Sequence, residues 1–598
     1  MSDPTMVPAP QPVSTGGSPF RVVIDGEPEA RTYANEHTAL AAGIRARLLH
    51  PDADVRVVQY REWRIEPAVA PYRAPAPDPQ DGAPPEPEPA EEQEEPAPPE
   101  IPPRPDPGPL PEPGGAMPEL PRVRIDPKYV QPGGNTIRVR AGDNLQAALD
   151  AAKPGDIIEL QAGATFKGNF VLRAKGGSQW IVIRTSAELP PEGTRITPNF
   201  SGFAKIVSPN NGRALRTEDG ASYYRLMGLE LTIDPSVTSA TAILELGSSG
   251  QTMAGMPKHI VVDRCYIHGH DNLSVQRCVS LQSAYTAIVD SYLDKCHHKG
   301  ADSQAIGSWN GAGPFLIKNN YLAGAGENVM FGGAAPSIQG LIPADIEVIG
   351  NYFHKPASWR GKWVVKNLLE FKFVQRILVE GNVFDGNWKD GQDGMAFNFK
   401  VSDAGSATWV KTTDVTFRYN VIRNSEGGMK IAATAGDTER LLIEHNVFEG
   451  IGAQGGVGRL FVLLGEIRDL TIRNNTGFAT NALLIAEGNP QRGFAMYNNI
   501  FARGKYGIKG STSEGTATLD AHMPGYYFKR NVLIGASQSR YPSDNFFPAS
   551  ESSVGFANFS GGDYRLSAGS QYRNMGTDGR DPGADVGTLM SRTANVAR

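Results

Sequence analysis

Residues 377–384 read ILVEGNVF, and near-copies recur down the second half of the chain. They are LIKNNYL (316–322), IEVIGNYF (346–353), VTFRYNVI (415–422), LLIEHNVF (441–448), LTIRNNTG (470–477), FAMYNNIF (494–501) and YYFKRNVL (526–533). Weaker versions stand at IVVDRCYI (260–267) and AIVDSYL (287–293). Apolar residues alternate with others before each Asn, which marks strands and excludes the helical repeats. From Asn320 to Asn531 the intervals are 31, 31, 38, 26, 29, 24 and 32 residues. Periods of this size mean a solenoid, and unequal ones mean coils with loops of varying length. A coil needs a sharp bend where strands meet. Asn tolerates the left-handed conformation, and its amide can bond the next Asn in the stack. Asn320, Asn351, Asn382, Asn420, Asn446, Asn475, Asn499 and Asn531 are therefore expected to form a structural ladder. The fold class is all-β: a right-handed parallel β-helix, a single-stranded solenoid over 122–598.

Working outward, Leu145, Leu149 and Ala152 lie on one face of a short helix, LQAALDAA. A helix near 145–152 is expected to cap the open end of the solenoid, where strand edges would be exposed. Residues 67–121 are rich in Pro, Glu and Ala and predict an extended polyproline-II linker. Residues 19–66 predict a small α+β module, strand–helix–strand: Phe20–Asp25, Thr38–Leu49 and Val55–Tyr60. Residues 1–18 are expected to be disordered.

Of 598 residues, 40% are hydrophobic and 20% charged, enough apolar content for a large core. The formal net charge is -6, with no Lys/Arg-rich run, so nucleic acid is not an expected partner. The N-terminus has neither a basic n-region nor an apolar h-region, and no run is long enough to span a bilayer. A standard signal peptide, a transmembrane segment and a membrane partner are not expected. Three cysteines, Cys265, Cys278 and Cys296, argue against a disulfide framework and predict buried free thiols.

Two stretches carry a family resemblance: Asp302–Ala305 through WNGAGPFLIKNNYLAGAGENVMFGG (309–333), and WRGKWVVKNLLEFKFVQRILVEGNVF (359–384) followed by NWKDGQDG. From about 125 onward the chain resembles the pectate-lyase-like right-handed parallel β-helix superfamily. It is similar in particular to a group of largely uncharacterised bacterial and phage β-helix proteins. The resemblance implies a fold suited to extended sugars and leaves the chemistry open, since the superfold hosts lyases, hydrolases, epimerases and non-catalytic spikes. It also implies that the sheet following the longer loop carries the substrate groove.

That sheet is expected at 329–331, 369–373, 396–400, 429–431, 461–464, 483–487 and 507–509. Alternation points Leu369, Phe371 and Phe373 inward and Glu370 and Lys372 outward. Glu370, Asn398 and Lys430 then form one row, with Lys372 and Lys400 beside it. The candidate catalytic residues are Glu370, Lys372 and Lys430. The candidate substrate-binding residues are Glu327, Asn328, Trp359, Arg360, Lys362, Trp388, Asp390, Asn398 and Lys400. Aromatic rings beside charges suit sugar faces and uronate carboxylates. The competing reading is a solvated cross-strand ion-pair ladder. A lyase would need a Lys base and a cation such as Ca2+. A hydrolase would need Glu370 paired with Glu327, Asp390 or Asp393. No metal ligand set is assigned: His297 and His298 point to opposite faces, and His268 and His270 lack a third ligand.

The functional expectation is a tailspike-like or surface-spike protein on a virion or extracellular surface. Residues 19–66 attach to it, the arm projects, and the solenoid binds a cell-surface polysaccharide with or without depolymerising it. The alternatives are a bacterial polysaccharide lyase or glycoside hydrolase, and a non-catalytic structural rod. Related spikes suggest a homotrimer.

Overall fold

The computed structural model describes strands at 20–24, 27–33 and 55–59, and residues 115–597 apart from 403, 404, 406 and 435. The chain divides into two compact units, Met1–Pro103 and Arg104–Arg598.

In the first unit Phe20–Ile24 is the central strand of a three-stranded antiparallel sheet, flanked by Glu27–Tyr33 and Val55–Gln59. The strand EPEARTY was not anticipated, because it lacks apolar alternation. The helix expected at 38–49, the disordered tail at 1–18 and linker residues 67–114 lie outside the described residues.

The second unit is a right-handed parallel β-helix built from three long parallel sheets. Sheet 1 has 12 strands, from Phe170–Leu172 to Ile508–Lys509. Sheet 2 has 14, from Thr136–Val139 to Tyr527–Lys529, and sheet 3 has 13, from Thr165–Lys167 to Val532–Ile534. A coil runs from sheet 2 through the Asn turn to sheet 3, then sheet 1, then a loop back to sheet 2. Phe315–Lys318, Tyr321–Gly324, Glu327–Phe331 and Ala344–Ile349 follow one another in this way. At about 4.8 Å per strand, sheet 2 spans roughly 60 Å.

Parallel register stacks like on like. Phe331, Phe371 and Phe399 are cross-strand partners inside sheet 1, as are Val329, Leu369 and Phe397. All six are fully buried in one continuous core. Phe373, expected in that core, lies past the strand end at Phe371 and packs with Ala407 and Val410 beneath a loop.

The ladder runs unbroken from Asn320 to Asn531. Each Oδ1 accepts from the backbone N and the side-chain amide of the Asn one coil earlier, at 2.9–3.2 Å. Ser291 and Cys265 extend it at one end, and Asn545 closes it at the other. The left-handed residue is not the ladder Asn but its predecessor: Asn319, Gly350, Gly381, Tyr419, His445, Asn474, Asn498 and Arg530 all have φ of +50° to +67°. The bend is made one residue early, and the Asn amide then bonds along the stack.

Both ends are covered. The helix Leu145–Ala151, capped by Asn144, buries Leu145 and Leu149. Its Gln146 amide bonds both the N–H and the carbonyl of Val171 on the edge strand of sheet 1, at 2.9 and 3.1 Å. At the far end Thr516–His522 buries Leu519 against the last coils.

Cys278 and Cys296 are joined by a disulfide, and only Cys265 is a buried free thiol. An odd count requires one unpaired cysteine but does not forbid a pair. These two come together because the sheet 1 strand Ser274–Leu281 of one coil and the sheet 3 strand Tyr292–Cys296 of the next place them 5.5 Å apart at Cα.

Residues 115–129, which include the end of the expected linker, lie across sheet 2. Gly115 sits against Gly493 and Asp469. Glu119 N–H donates to Asp414 (3.2 Å) and Arg122 N–H to Asp345 (2.9 Å). Ile125 packs with Val261, Ala287 and Leu316. The Pro127 carbonyl accepts from Arg225 (2.6 Å), and Tyr129 N–H donates to Glu192 (2.8 Å). This strap crosses nine strands, roughly 40 Å at about 4.8 Å each. Ile125→Ala is expected to lower stability by about 1–2 kcal/mol, the scale for truncating a part-buried aliphatic side chain. An unchanged denaturation midpoint would mean that the strap does not hold the sheet in solution.

Candidate functional site

On the outer face of sheet 1, Met330, Glu370, Asn398, Lys430 and Val462 are successive cross-strand partners. Glu370, Asn398 and Lys430 thus stand in one row across three coils. Lys372 follows directly after its strand, and its backbone N–H donates to the Phe331 carbonyl at 2.7 Å.

The row is not level. Glu370 is 1% exposed and Asn398 5%, so this is no solvated ion-pair ladder. The Glu370 carboxylate accepts from the Asn398 amide at 2.6 Å and from the Lys372 ammonium at 2.9 Å. Lys372 also donates to the Ser402 hydroxyl at 3.1 Å. Lys430 pairs with Asp393 at 2.8 Å. Above this network opens a cleft of about 400 Å³ lined by Lys372, Gln392, Asp393, Asn398, Lys400, Ser402 and Lys430. Glu370 lies beneath its floor. It orients Lys372 and Asn398, whereas the sequence reading placed it at the surface. Alternation gives direction but not depth, and Gln392, Asp393 and Ser402, from the loops either side of the strand Met395–Lys400, build the walls around it.

The remaining candidates fall elsewhere. Asn328 is fully buried and donates to the carbonyls of Leu322 (2.6 Å) and His354 (3.0 Å), so it braces a corner of the solenoid and does not face a ligand. Trp359 and Trp388 are buried with Trp363 against Ala323, Ala325 and Val365, anchoring their loops. His297 stacks on Trp363 at 3.6 Å, and burial pulls its imidazole down to about 4. The Asp390 carboxylate accepts from Val365 N–H at 2.9 Å. Arg360 lies 4.6 Å over the Trp388 ring and pairs with Glu426 at 3.1 Å, while Lys362 is exposed beside it. His298 accepts from the N–H groups of Gly300 and Ala301, and His268 contacts Glu230, so both serve local structure.

Glu327 is fully buried, directly in register with Gln304 and Asn367 on the two neighbouring strands, and accepts from the Gln304 amide at 2.7 Å. Burial pushes its carboxyl well above the usual range; Glu370 and Asp302 add to this, and Lys366 and Gln304 oppose it. Nearby, Lys355 is buried with its ammonium on the carbonyls of Gly324, Ala325 and Gly326 at 2.7–2.9 Å. A carboxyl whose folded pKa is raised stabilises fully below the unfolded pKa near 4.5 and loses that contribution as pH rises through the folded value. Glu327→Gln is therefore expected to shrink the loss of stability between pH 5 and pH 8. An identical pH profile for wild type and variant would show that Glu327 is ionised throughout.

Gln392 and Ser402 were missed by sequence reasoning. They sit on loops with no periodicity, and no signal marks them. Asp393 was weighed only as a second carboxylate for Glu370, yet its bond is to Lys430. Among the described residues no three His, Cys, Asp or Glu side chains gather to hold a metal ion. Asp393 Oδ1 and Asn398 Oδ1 are buried beside the cleft and accept no hydrogen bond. Three ammonium groups line the same space. A divalent cation there would meet like charge on several sides, so these residues do not fit Ca2+.

Comparison with known proteins adds the following. No family model and no curated protein matches the chain. Among solved structures it is similar to a mannuronic acid specific polysaccharide family 6 lyase from human gut microbiota, at 15% identity and TM-score 0.44, covering 68% of this chain and 88% of that one. It is similar to an alginate lyase from Paenibacillus sp. at 15% identity and TM-score 0.26, covering 69% and 99%. It is similar to the Dettilon tailspike protein at 11% identity and TM-score 0.30, covering 65% and 68%. Among the described residues no helix is long and apolar enough to cross a membrane.

Proposed function

We propose that the chain binds a cell-surface polysaccharide in the sheet 1 cleft and depolymerises it there, as the working part of a surface or virion spike. The observation that carries this reading is the buried Glu370 network under a cleft lined by three lysines. Holding a carboxylate nearly out of water costs stability unless it is paired. Its effect here is to fix Lys372 and Asn398 beneath an open, polar trough. Lys400 and Lys430 face the same space and suit the carboxylates of an acidic glycan. The part-exposed Asp393 carboxylate, through the oxygen it shares with Lys430, is an acceptor for a hydroxyl. For cleavage, Lys372 or Lys430 would move a proton, and the Glu370 and Asp393 carboxylates would hold each ammonium in place. The Pro/Glu-rich segment would separate an attachment module at 19–66 from the solenoid.

The test is retention and depolymerisation of a panel of acidic and neutral polysaccharides. A rise in unsaturated-uronate absorbance identifies a lyase, and reducing ends without that absorbance identify a hydrolase. Binding without either leaves a glycan receptor. Wild-type retention by a Lys372→Ala, Lys400→Ala, Lys430→Ala variant would remove the cleft from the function. Mass spectrometry of purified virions tests the spike assignment.

A further inference from the structure

The C-terminal segment folds back along the Asn-turn edge of the solenoid. Thr577 N–H donates to the Asn498 side chain at 2.8 Å, and Gly583 N–H to the Asn498 carbonyl at 2.7 Å. Ala584 N–H donates to Thr476 Oγ1 (3.0 Å) and Asp585 N–H to His445 Nδ1 (3.1 Å). Arg592 pairs with Glu380, and the Val596 carbonyl accepts from Arg195.

Between this segment and the edge opens a cleft of about 850 Å³, about twice the size of the one on sheet 1. Arg473, Tyr497 and Tyr527 come from the strands of sheet 2, and Arg573, Thr577 and Arg580 from the returning segment. None of these residues belongs to the Glu370 cleft, and a different sheet carries them.

We propose that this second cleft binds an acidic oligosaccharide of two or three rings. The volume falls within the usual range for a small-ligand site. Tyr497 is buried and meets the half-buried Tyr527 edge to face at 5.3 Å, so Tyr527 is the ring against which a sugar's C–H face can pack. The charges are unevenly matched. Arg473 is held by Glu444 at 2.8 Å and by the Tyr497 hydroxyl at 3.2 Å. Arg573 reaches Asp581 only at 3.9 Å, and among the described residues the exposed Arg580 guanidinium has no ion pair. Two guanidinium groups at the rim can therefore take a carboxylate in bidentate fashion. Asp578 and Asp581 stand on the same wall, each with Oδ1 accepting a backbone N–H, from Arg580 and Asn574, which leaves an oxygen that can accept from a sugar hydroxyl.

The reading does not depend on the sheet 1 cleft, and its test separates the two. Trigalacturonate is titrated calorimetrically into the full chain, with maltotriose as the neutral counterpart. An Arg573→Ala, Arg580→Ala variant is expected to weaken one binding component by about tenfold or more. A Lys400→Ala, Lys430→Ala variant is expected to leave that component unchanged, even if the sheet 1 cleft binds nothing. Maltotriose is expected to bind about tenfold more weakly. The proposal is overturned by no binding of trigalacturonate to wild type, by an unchanged isotherm in the arginine variant, or by equal affinity for maltotriose. It is also overturned if inorganic phosphate competes as strongly as the sugar, which would make this a plain anion site.

Discussion

Asn420→Ala is expected to destabilise the solenoid by about 3–5 kcal/mol, among the largest effects of any single substitution in the chain. The Asn420 amide donates to the Val379 carbonyl and to Asn446 Oδ1, each at 3.0 Å. Its Oδ1 accepts from the backbone N–H of Asn382 at 2.9 Å and from the Asn382 amide at 3.0 Å. Truncation takes the acceptor from the buried Asn382 N–H and removes one bond each from the Asn382 amide, which keeps the Val348 and Glu380 carbonyls, from the Val379 carbonyl and from Asn446 Oδ1; a buried group left without a partner costs about 1–3 kcal/mol. Relaxation of the coil recovers part of this. Gln454→Ala, which removes one exposed bond to Asn424, is the control and should stay within about 0.5 kcal/mol of wild type. Chemical denaturation measures both. A ladder variant as stable as the control would mean that water or backbone adjustment replaces the amide, and that the ladder is ornamental.

Glu370→Gln and Lys430→Ala are expected to separate support from contact. Glu370 is buried and holds an ammonium, so replacing it by the neutral amide should cost about 2–4 kcal/mol of stability. It should also weaken glycan retention, because Lys372 and Asn398 lose their common anchor. Lys430 pairs with an Asp393 side chain that is 44% exposed, so its loss should change stability by about 0–1 kcal/mol. Glycan binding should nonetheless weaken by about 1–3 kcal/mol, the scale of a charge-assisted hydrogen bond. Thermal melts and glycan retention are read on the same preparations. Glu370→Gln with wild-type stability would contradict the buried pair. Lys430→Ala with wild-type retention would leave the cleft without a ligand contact at that position.

The recurring phrase before each Asn made the solenoid legible without any structure. Period-two alternation defines faces, and parallel stacking repeats each position about 4.8 Å away. The same logic placed Glu370, Asn398 and Lys430 in one row, because register across parallel coils needs no knowledge of loops. It gave no account of depth. Glu327 and Asn328 read as rim residues because GEN precedes a strand, and the structure buries both at a corner. Trp359 and Trp388 read equally as sugar platforms or as loop anchors, and the structure makes them anchors: their packing partners Ala323 and Ala325 stand more than 30 residues earlier in the chain. Residues 115–121 read by composition as the end of a free linker, and composition cannot show that they lie on sheet 2 or that Arg122, just after them, bonds a residue 223 positions away.

The sequence by itself determined the coil, the Asn ladder, the capping helix and the outward direction of the site row. These follow from local periodicity, and a solenoid repeats local rules. Only the tertiary structure decided which outward residues lie under loops, that Cys278 and Cys296 join, that the strap crosses sheet 2, and that the C-terminal segment closes a second cleft. Each of these depends on irregular loops or on contacts between residues far apart in the chain, where no periodicity survives. Burial is set there by what happens to fold over a surface.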